Sequence, residues 1–192
     1  MDDFLERFSQ TNLGFLRSSE RSGMAENNTE IVPGIYLSWD AEETGLTVEY
    51  NSPGWAALTL SYQRSAAPRW FSLNLALAEG LIAEGDVLGL VVEGYSAQSA
   101  SISLRLRSMI EGETFDSDWT DTINLHPSND VAVALRSFAV VDGLVGREGY
   151  HTLIMSLPRE NGSLTIRNMR LFRMPGSREL RRDPETLASF AV

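Results

Sequence analysis

The chain has 192 residues, a formal net charge of −10 and no cysteine. This length suits one domain that buries a core without disulfides, and the lack of cysteine excludes thiolate-bound metal. Its acidity excludes general nucleic-acid binding, because such binding needs basic side chains that neutralise phosphates. The start, "MDDFLERFSQ", has neither the basic region nor the apolar run of a signal peptide, and no membrane span is predicted. We therefore expect a cytoplasmic protein, or one that reaches the surface of a cell or virus-like particle by non-classical release.

The first 33 residues are predicted to form an arm ahead of the main domain. Phe4, Leu5 and Phe8 can share one face of a short helix. The polar stretch "SSERSGMAENNTE" that follows has the composition of a flexible linker. Two interpretations stay open: a frayed terminus, or a tether that docks on another protein.

Residues 34–173 alternate short strands with turn sequences. These strands are rich in β-branched and aromatic residues, and several alternate apolar with polar positions. About nine are predicted, at residues 34–40, 45–51, 56–63, 69–77, 85–94, 99–109, 130–138, 150–158 and 162–172. Such a series predicts an all-β fold, an antiparallel β-sandwich or jelly roll. Residues 174–192 form a tail that is polar and then apolar, suited to a strap, a disordered end or an assembly peptide.

The last strand changes its apolar face part-way along. Leu164 and Ile166 have one parity, whereas Met169 and Leu171 have the other. One extra residue near Asn168 would restore the alternation, so we predict a β-bulge there.

Three stretches together resemble a known superfamily. They are "RWFSLNLAL", "GDVLGLVVEGYSAQSASISLRLRS" with the acidic Trp-containing segment after it, and "HTLIMSLPRENGSLTIRNMRLF". Their order, spacing and closing pattern are similar to the galactose-binding-like β-sandwich superfamily, over about residues 34–173. The resemblance implies a jelly roll. Many members are carbohydrate-binding modules without catalytic activity and many hold a structural calcium ion, while others bind peptides, lipids or proteins.

An arginine pair is the first candidate for a binding site. In "SISLRLRS" the leucines should face the core, and Arg105 and Arg107 should face outward about 7 Å apart. On a concave face these two guanidiniums could bind the carboxylates or sulfates of an acidic polysaccharide. The alternative is that they pair with acidic residues on neighbouring strands.

Aromatic residues near predicted strand ends are the second candidate. Sugar rings have apolar C–H faces that stack on aromatic rings. The candidate platforms are Trp55, Tyr95, Phe115 and Trp119. The alternative is that these rings fill the core or the ends of the sandwich.

The segment "DSDWTD" is predicted to be an acidic loop. Asp116, Asp118 and Asp121 could supply carboxylate oxygens for a structural calcium ion. A solvated loop is the alternative, and no other cofactor is expected.

No nucleophile elbow, zinc-protease motif or nucleotide-binding glycine loop occurs in the chain. The sequence therefore favours a non-catalytic protein similar to a carbohydrate-binding module, with an acidic or cell-surface glycan as its partner. The alternative among enzymes is a small polysaccharide lyase or hydrolase. The alternative function is a structural adaptor that docks through residues 1–20 or 175–192 in a phage-like particle or a cell-surface complex.

Overall fold

The computed structural model describes residues 4–42 and 45–176. They form helix α1 (Phe4–Ser18), a 3₁₀ turn (Val140–Asp142) and strands β1 (Arg21–Ala25), β2 (Glu30–Val32), β3 (Ile35–Trp39), β4 (Thr47–Ser52), β5 (Leu58–Gln63), β6 (Phe71–Leu81), β7 (Val87–Ser96), β8 (Ala100–Ile110), β9 (Glu113–Leu125), β10 (Asp130–Ser137), β11 (Glu148–Ser156) and β12 (Gly162–Met174). No helix in this part of the chain is long and apolar enough to cross a membrane.

The strands form two six-stranded antiparallel sheets that enclose the core. We call the sheet β2-β3-β6-β11-β8-β9 the groove sheet and the sheet β1-β4-β5-β12-β7-β10 the back sheet. Alternate apolar residues of β6, β8 and β11 meet those of β5, β7 and β12 between the sheets. The predicted β-sandwich is confirmed. The nine predicted strands correspond to β3–β8 and β10–β12. Strands β1, β2 and β9 were not predicted.

The predicted linker is wrong for the stretch after α1, because two short strands lie there. β1 pairs with β4 in the back sheet, and β2 pairs with β3 in the groove sheet. β1 contains only one buried residue, Ala25, which explains why its composition is that of a linker. A polar edge strand of this kind is held by its main-chain ladder rather than by a packed apolar face.

The predicted helix exists and packs on its own domain. Leu5, Leu13 and Leu16 are fully buried in the core. β5 pairs with β12 only over Gly162–Ile166. Beyond that point α1 takes the place of the neighbouring strand, because Gln10 donates to the Leu171 carbonyl at 2.7 Å and Arg17 to the Met169 carbonyl at 2.5 Å.

The predicted β-bulge in the last strand is confirmed. Ile166 pairs with Gly94 and Asn168 pairs with Glu93, so Arg167 is the extra residue on β12. The bulge lets the apolar residues on both sides of it face the same core.

His151 makes the stability of the fold pH-dependent. Its ring is fully buried, with Nε2 3.0 Å from the Gly80 carbonyl and Nδ1 2.8 Å from the Ser108 hydroxyl. Burial is the main cause that lowers the pKa of His151, and the charge of Arg173 lowers it further. Below about pH 6.5 the unfolded chain binds a proton on His151, whereas the folded chain resists this protonation. The free energy of unfolding should therefore fall as the pH drops below that value.

Urea unfolding between pH 8 and pH 5 measures this effect. We expect the denaturation midpoint of the wild type to fall with pH, and that of His151→Gln to fall less over the same range. An equal slope in both proteins would contradict the assignment to His151.

Candidate functional site

A groove of about 550 Å³ crosses the outer face of the groove sheet. Five adjacent strands contribute to it, in the order β3, β6, β11, β8 and β9. Strand alternation explains its composition, because the residues between the core leucines must point outward. We call it the face groove.

The bottom of the face groove is formed by polar side chains of β6 and β11 and one aliphatic residue. Ser72 pairs with Ser156 across the two strands, and Asn74 pairs with Ile154, which lies next to the outward-facing Thr152. Asn74 donates to the Tyr36 carbonyl at 3.3 Å, which fixes its amide. The groove therefore presents hydroxyl and amide groups around a small apolar area.

Two aromatic residues line the β3 side of the groove. Trp70 precedes β6 and is 46% exposed, and its carbonyl accepts a hydrogen bond from the Asp40 N–H at 3.1 Å. Tyr36 is half-buried on β3, and burial is the main cause that raises its pKa. Tyr36 therefore keeps its proton at neutral pH and can both donate and accept a hydrogen bond.

The predicted arginine pair lines the opposite side of the groove, and carboxylates hold both of its members. Arg105 donates to Asp118 through Nε at 2.6 Å and Nη2 at 3.1 Å. Arg107 donates to Asp116 through Nε at 2.8 Å and Nη2 at 2.7 Å. The outward orientation of both arginines and their pairing with acids on a neighbouring strand are confirmed.

These ion pairs make the arginine side of the groove electrically balanced. The hydrogen bonds from Arg107 are the main cause that lowers the pKa of Asp116. The hydrogen bonds that the two guanidiniums donate to Asp118 and Asp116 are the main cause that raises the pKa of Arg105 and Arg107. Asp116 and the two guanidiniums therefore stay charged around neutral pH, and each guanidinium faces a carboxylate.

Comparison with known proteins gives a fold but no family. No family model matches the chain, and no curated protein matches it. A solved structure described as "CBM4 structure and function" is similar to it, with a TM-score of 0.52 and 10% identity over 79% of this chain and 95% of that one. This chain has the β-sandwich fold of that CBM4 structure.

Weaker structural similarity extends to two further proteins. The xylan-binding domain CBM22-1 from Paenibacillus barcinonensis Xyn10C has a TM-score of 0.48 at 11% identity, over 82% of this chain and 96% of its own. The N-terminal cellulose-binding domain of Cellulomonas fimi β-1,4-glucanase C has a TM-score of 0.47 at 10% identity, over 78% and 98%.

Trp119 is not a surface platform, so that prediction is wrong. Its side chain is 6% exposed and belongs to the core cluster. The segment predicted as an acidic loop is strand β9, in which Ser117 and Trp119 point inward while Asp116 and Asp118 point outward. Polar outward residues gave this strand the composition of a loop.

Phe115 is not the open stacking surface for a sugar ring that was predicted. It is half-buried against the core, and the Arg147 guanidinium carbon lies 4.9 Å from the centre of its ring. A cation already occupies this ring face, so the structure provides no sugar platform there.

Trp55 and Tyr95 lie on the back sheet, away from the arginine pair. Trp55 follows β4 and is 59% exposed, and Tyr95 is a half-buried residue of β7. The six predicted ligand-binding residues therefore do not form one site. Only Arg105 and Arg107 line the face groove.

The predicted calcium ligands are not brought together. Asp116 and Asp118 face Arg107 and Arg105, whereas Asp121 has the opposite strand parity and accepts the Leu135 N–H at 3.0 Å. In residues 4–42 and 45–176, no group of three or more acidic, histidine or cysteine side chains is placed to hold a metal ion.

The terminal docking surface proposed for an adaptor is largely used within the domain. Leu5 is buried, together with the later leucines of α1, so the leucine face of this helix packs on the sandwich itself. Within the tail, Pro175 and Gly176 are described, and residues 177–192 lie outside the described part of the chain.

The main groove residues that were missed as ligand contacts are Tyr36, Trp70 and Asn74. Alternation in "RWFSLNLAL" already placed Trp70 and Asn74 on the polar face of their strand. That these residues lie in one groove with Tyr36 and the arginines follows from the strand order of the groove sheet, which alternation does not reveal.

Proposed function

We propose that this protein binds a neutral polysaccharide in the face groove and does not cleave it. The observation that carries the proposal is a groove with Trp70 and Tyr36 on one side and hydroxyl and amide groups at its bottom. The apolar face of a sugar ring would stack on Trp70, and its hydroxyls would bind exposed hydroxyl groups such as those of Ser103 and Ser156. The CBM4-like fold supports this function.

The ion pairs favour a neutral glycan over an acidic one. Asp118 and Asp116 engage two N–H groups each of Arg105 and Arg107, which are the groups that a glycan carboxylate would need. The chain has a net charge of −10, which would also repel an acidic polymer. Glycan hydroxyls can instead use the remaining hydrogen-bonding capacity of the paired groups.

The carboxylates of the groove are suited to binding rather than to hydrolysis. Glycoside hydrolysis needs a carboxylic acid with a raised pKa to protonate the leaving oxygen. The Arg107 hydrogen bonds instead lower the pKa of Asp116, and Asp118 accepts two hydrogen bonds from Arg105. Both groups thus serve the ion-pair network.

The first test is Trp70→Ala. A glycan array identifies the preferred polysaccharide, and calorimetry then measures its affinity for the wild type and the variant. We expect Trp70→Ala to weaken binding about tenfold or more, because a tryptophan that packs against a ligand is a typical hot spot. Phe15→Ala is the control, since this ring is also exposed but lies on α1.

Salt dependence tests the charge class of the glycan. Binding of a neutral polysaccharide should change little between low and high ionic strength, because no charge is neutralised. Preferential binding of an acidic polysaccharide, with a steep loss at high salt and in Arg105→Gln, would overturn the neutral assignment. Unchanged binding in Trp70→Ala would overturn the groove as the site.

A further inference from the structure

A second pocket lies on the back sheet, at the β-bulge of β12. It has a volume of about 270 Å³, half that of the face groove. Its polar lining comes from three elements: the end of α1 with Arg17, β7 with Glu93, and the bulge with Arg167 and Asn168. Trp55, from the turn between β4 and β5, completes it. We call it the bulge pocket.

The bulge creates this pocket. Arg167 is the extra residue of β12, and it lies outward beside Asn168. Its carbonyl accepts the Ala57 N–H at 3.2 Å, which holds the turn that carries Trp55 against the bulge. A regular strand would lack this extra residue and this contact.

Trp55 is exposed although its turn is anchored on both sides. Before the turn, the Ser52 hydroxyl donates to the Leu16 carbonyl at 2.6 Å, and after it Ala57 binds the bulge. Gly54 has a φ of 79°, which favours glycine at the position before Trp55. The turn thus holds a 59% exposed indole ring at the edge of a polar pocket.

The polar groups of the bulge pocket suit sugar hydroxyls. Arg167 Nη1 lies 3.7 Å from Glu93 Oε1, which is longer than a hydrogen bond. A donor and an acceptor are therefore adjacent without binding each other, while Glu93 Oε1 accepts a hydrogen bond from Asn129 Nδ2 at 3.2 Å. Two neighbouring hydroxyls of a sugar ring, each able to donate and accept, match such a pair.

The charges around the bulge pocket balance. Arg17 and Arg167 supply two positive charges, and Glu93 supplies one negative charge. Glu20 adds a second carboxylate close to the turn, since its Oε1 lies 3.4 Å from the position of a Cβ on Gly54. A neutral ligand fits this balance better than an anionic one.

We propose that the bulge pocket is a second glycan site that binds a single neutral sugar unit against Trp55. This inference extends the proposed function, because both sites use an aromatic ring with flanking polar groups. The two sites lie on opposite sheets. One molecule would therefore bind two polysaccharide chains at once and connect them.

The direct test follows the indole N–H signals of the four tryptophans by ¹H–¹⁵N NMR. Trp55→Phe assigns the Trp55 signal by its disappearance, and because the ring is exposed this variant should keep the fold. D-glucose, D-galactose, D-mannose and D-xylose are then titrated into the full-length protein. We expect one of them to shift the Trp55 signal, and the same shift in Trp70→Ala. Glu93→Gln should weaken this binding about fivefold, through the weakening of one hydrogen bond.

The bridging role is tested by light scattering with soluble xylan, β-glucan and galactomannan. The wild type should form large cross-linked particles with the polysaccharide that it binds, and Trp55→Ala should bind the same polymer without cross-linking it. A Trp55 signal that no sugar moves overturns the second site, even if Trp70→Ala shows that the groove binds. A Trp55 shift with no effect of Trp70→Ala on any glycan would instead overturn the groove proposal alone.

Discussion

Replacing Trp119 by alanine is expected to lower the free energy of unfolding by about 3–5 kcal/mol, because it removes a large ring from the core. The side chain is 6% exposed and lies among the buried residues of the sandwich. Urea denaturation followed by circular dichroism measures the loss.

Trp70→Ala is the matched control for this experiment. Trp70 is 46% exposed, so its loss should change stability little and glycan binding strongly. If Trp119→Ala kept the wild-type stability and lost glycan affinity, Trp119 would be the surface platform that the sequence suggested.

Replacing Asp86 by alanine should destabilise the protein by about 3–5 kcal/mol, the usual result of breaking a buried ion pair. The Asp86 side chain is 2% exposed, and its Oδ2 accepts hydrogen bonds from Arg173 Nε at 3.0 Å and Nη2 at 2.5 Å. Oδ2 also accepts the Ala83 N–H at 2.7 Å, and Oδ1 accepts the Gly176 N–H at 2.8 Å. One carboxylate thus ties the start of β7 to the end of β12.

Asp118→Ala is the control for the buried carboxylate. Asp118 also binds an arginine, but its side chain is 67% exposed, so its removal should cost about 0–1 kcal/mol. Thermal and urea unfolding of both variants measure the difference. Equal losses would contradict the special role of Asp86.

Alternation along the chain predicted much of the sandwich. Arg105 and Arg107 were placed outward because leucines occupy every second position of β8, and the bulge was placed because Leu164 and Met169 differ in parity. Both inferences use only neighbours in sequence, for which the strand period of two is sufficient.

Strand β9 could not be predicted in the same way. Its acidic residues are stable on a strand because Arg105 and Arg107 lie directly opposite, with Arg105 paired with Asp118 and Arg107 with Asp116. That pairing requires knowledge of which strand lies next to which. Without it, "DSDWTD" has the composition of a loop.

The candidate site was predictable only in part, for the same reason. Tyr36 and Arg107 are 71 positions apart in sequence, and β6 and β11 separate their strands in the sheet. The arginines were identified from one strand, whereas the groove is a property of five. The burial of Trp119 and Phe115 was likewise not predictable, because their inward positions depend on the pairing of β9.

Helix α1 has a consequence for self-association. Its side chains Gln10 and Arg17 bind main-chain carbonyls of β12 beyond the end of β5. If the helix were trimmed away as a dispensable arm, that stretch of β12 would become an open edge, onto which a strand from another molecule could add. We therefore expect the sandwich without its amino-terminal helix to aggregate more readily than the whole chain.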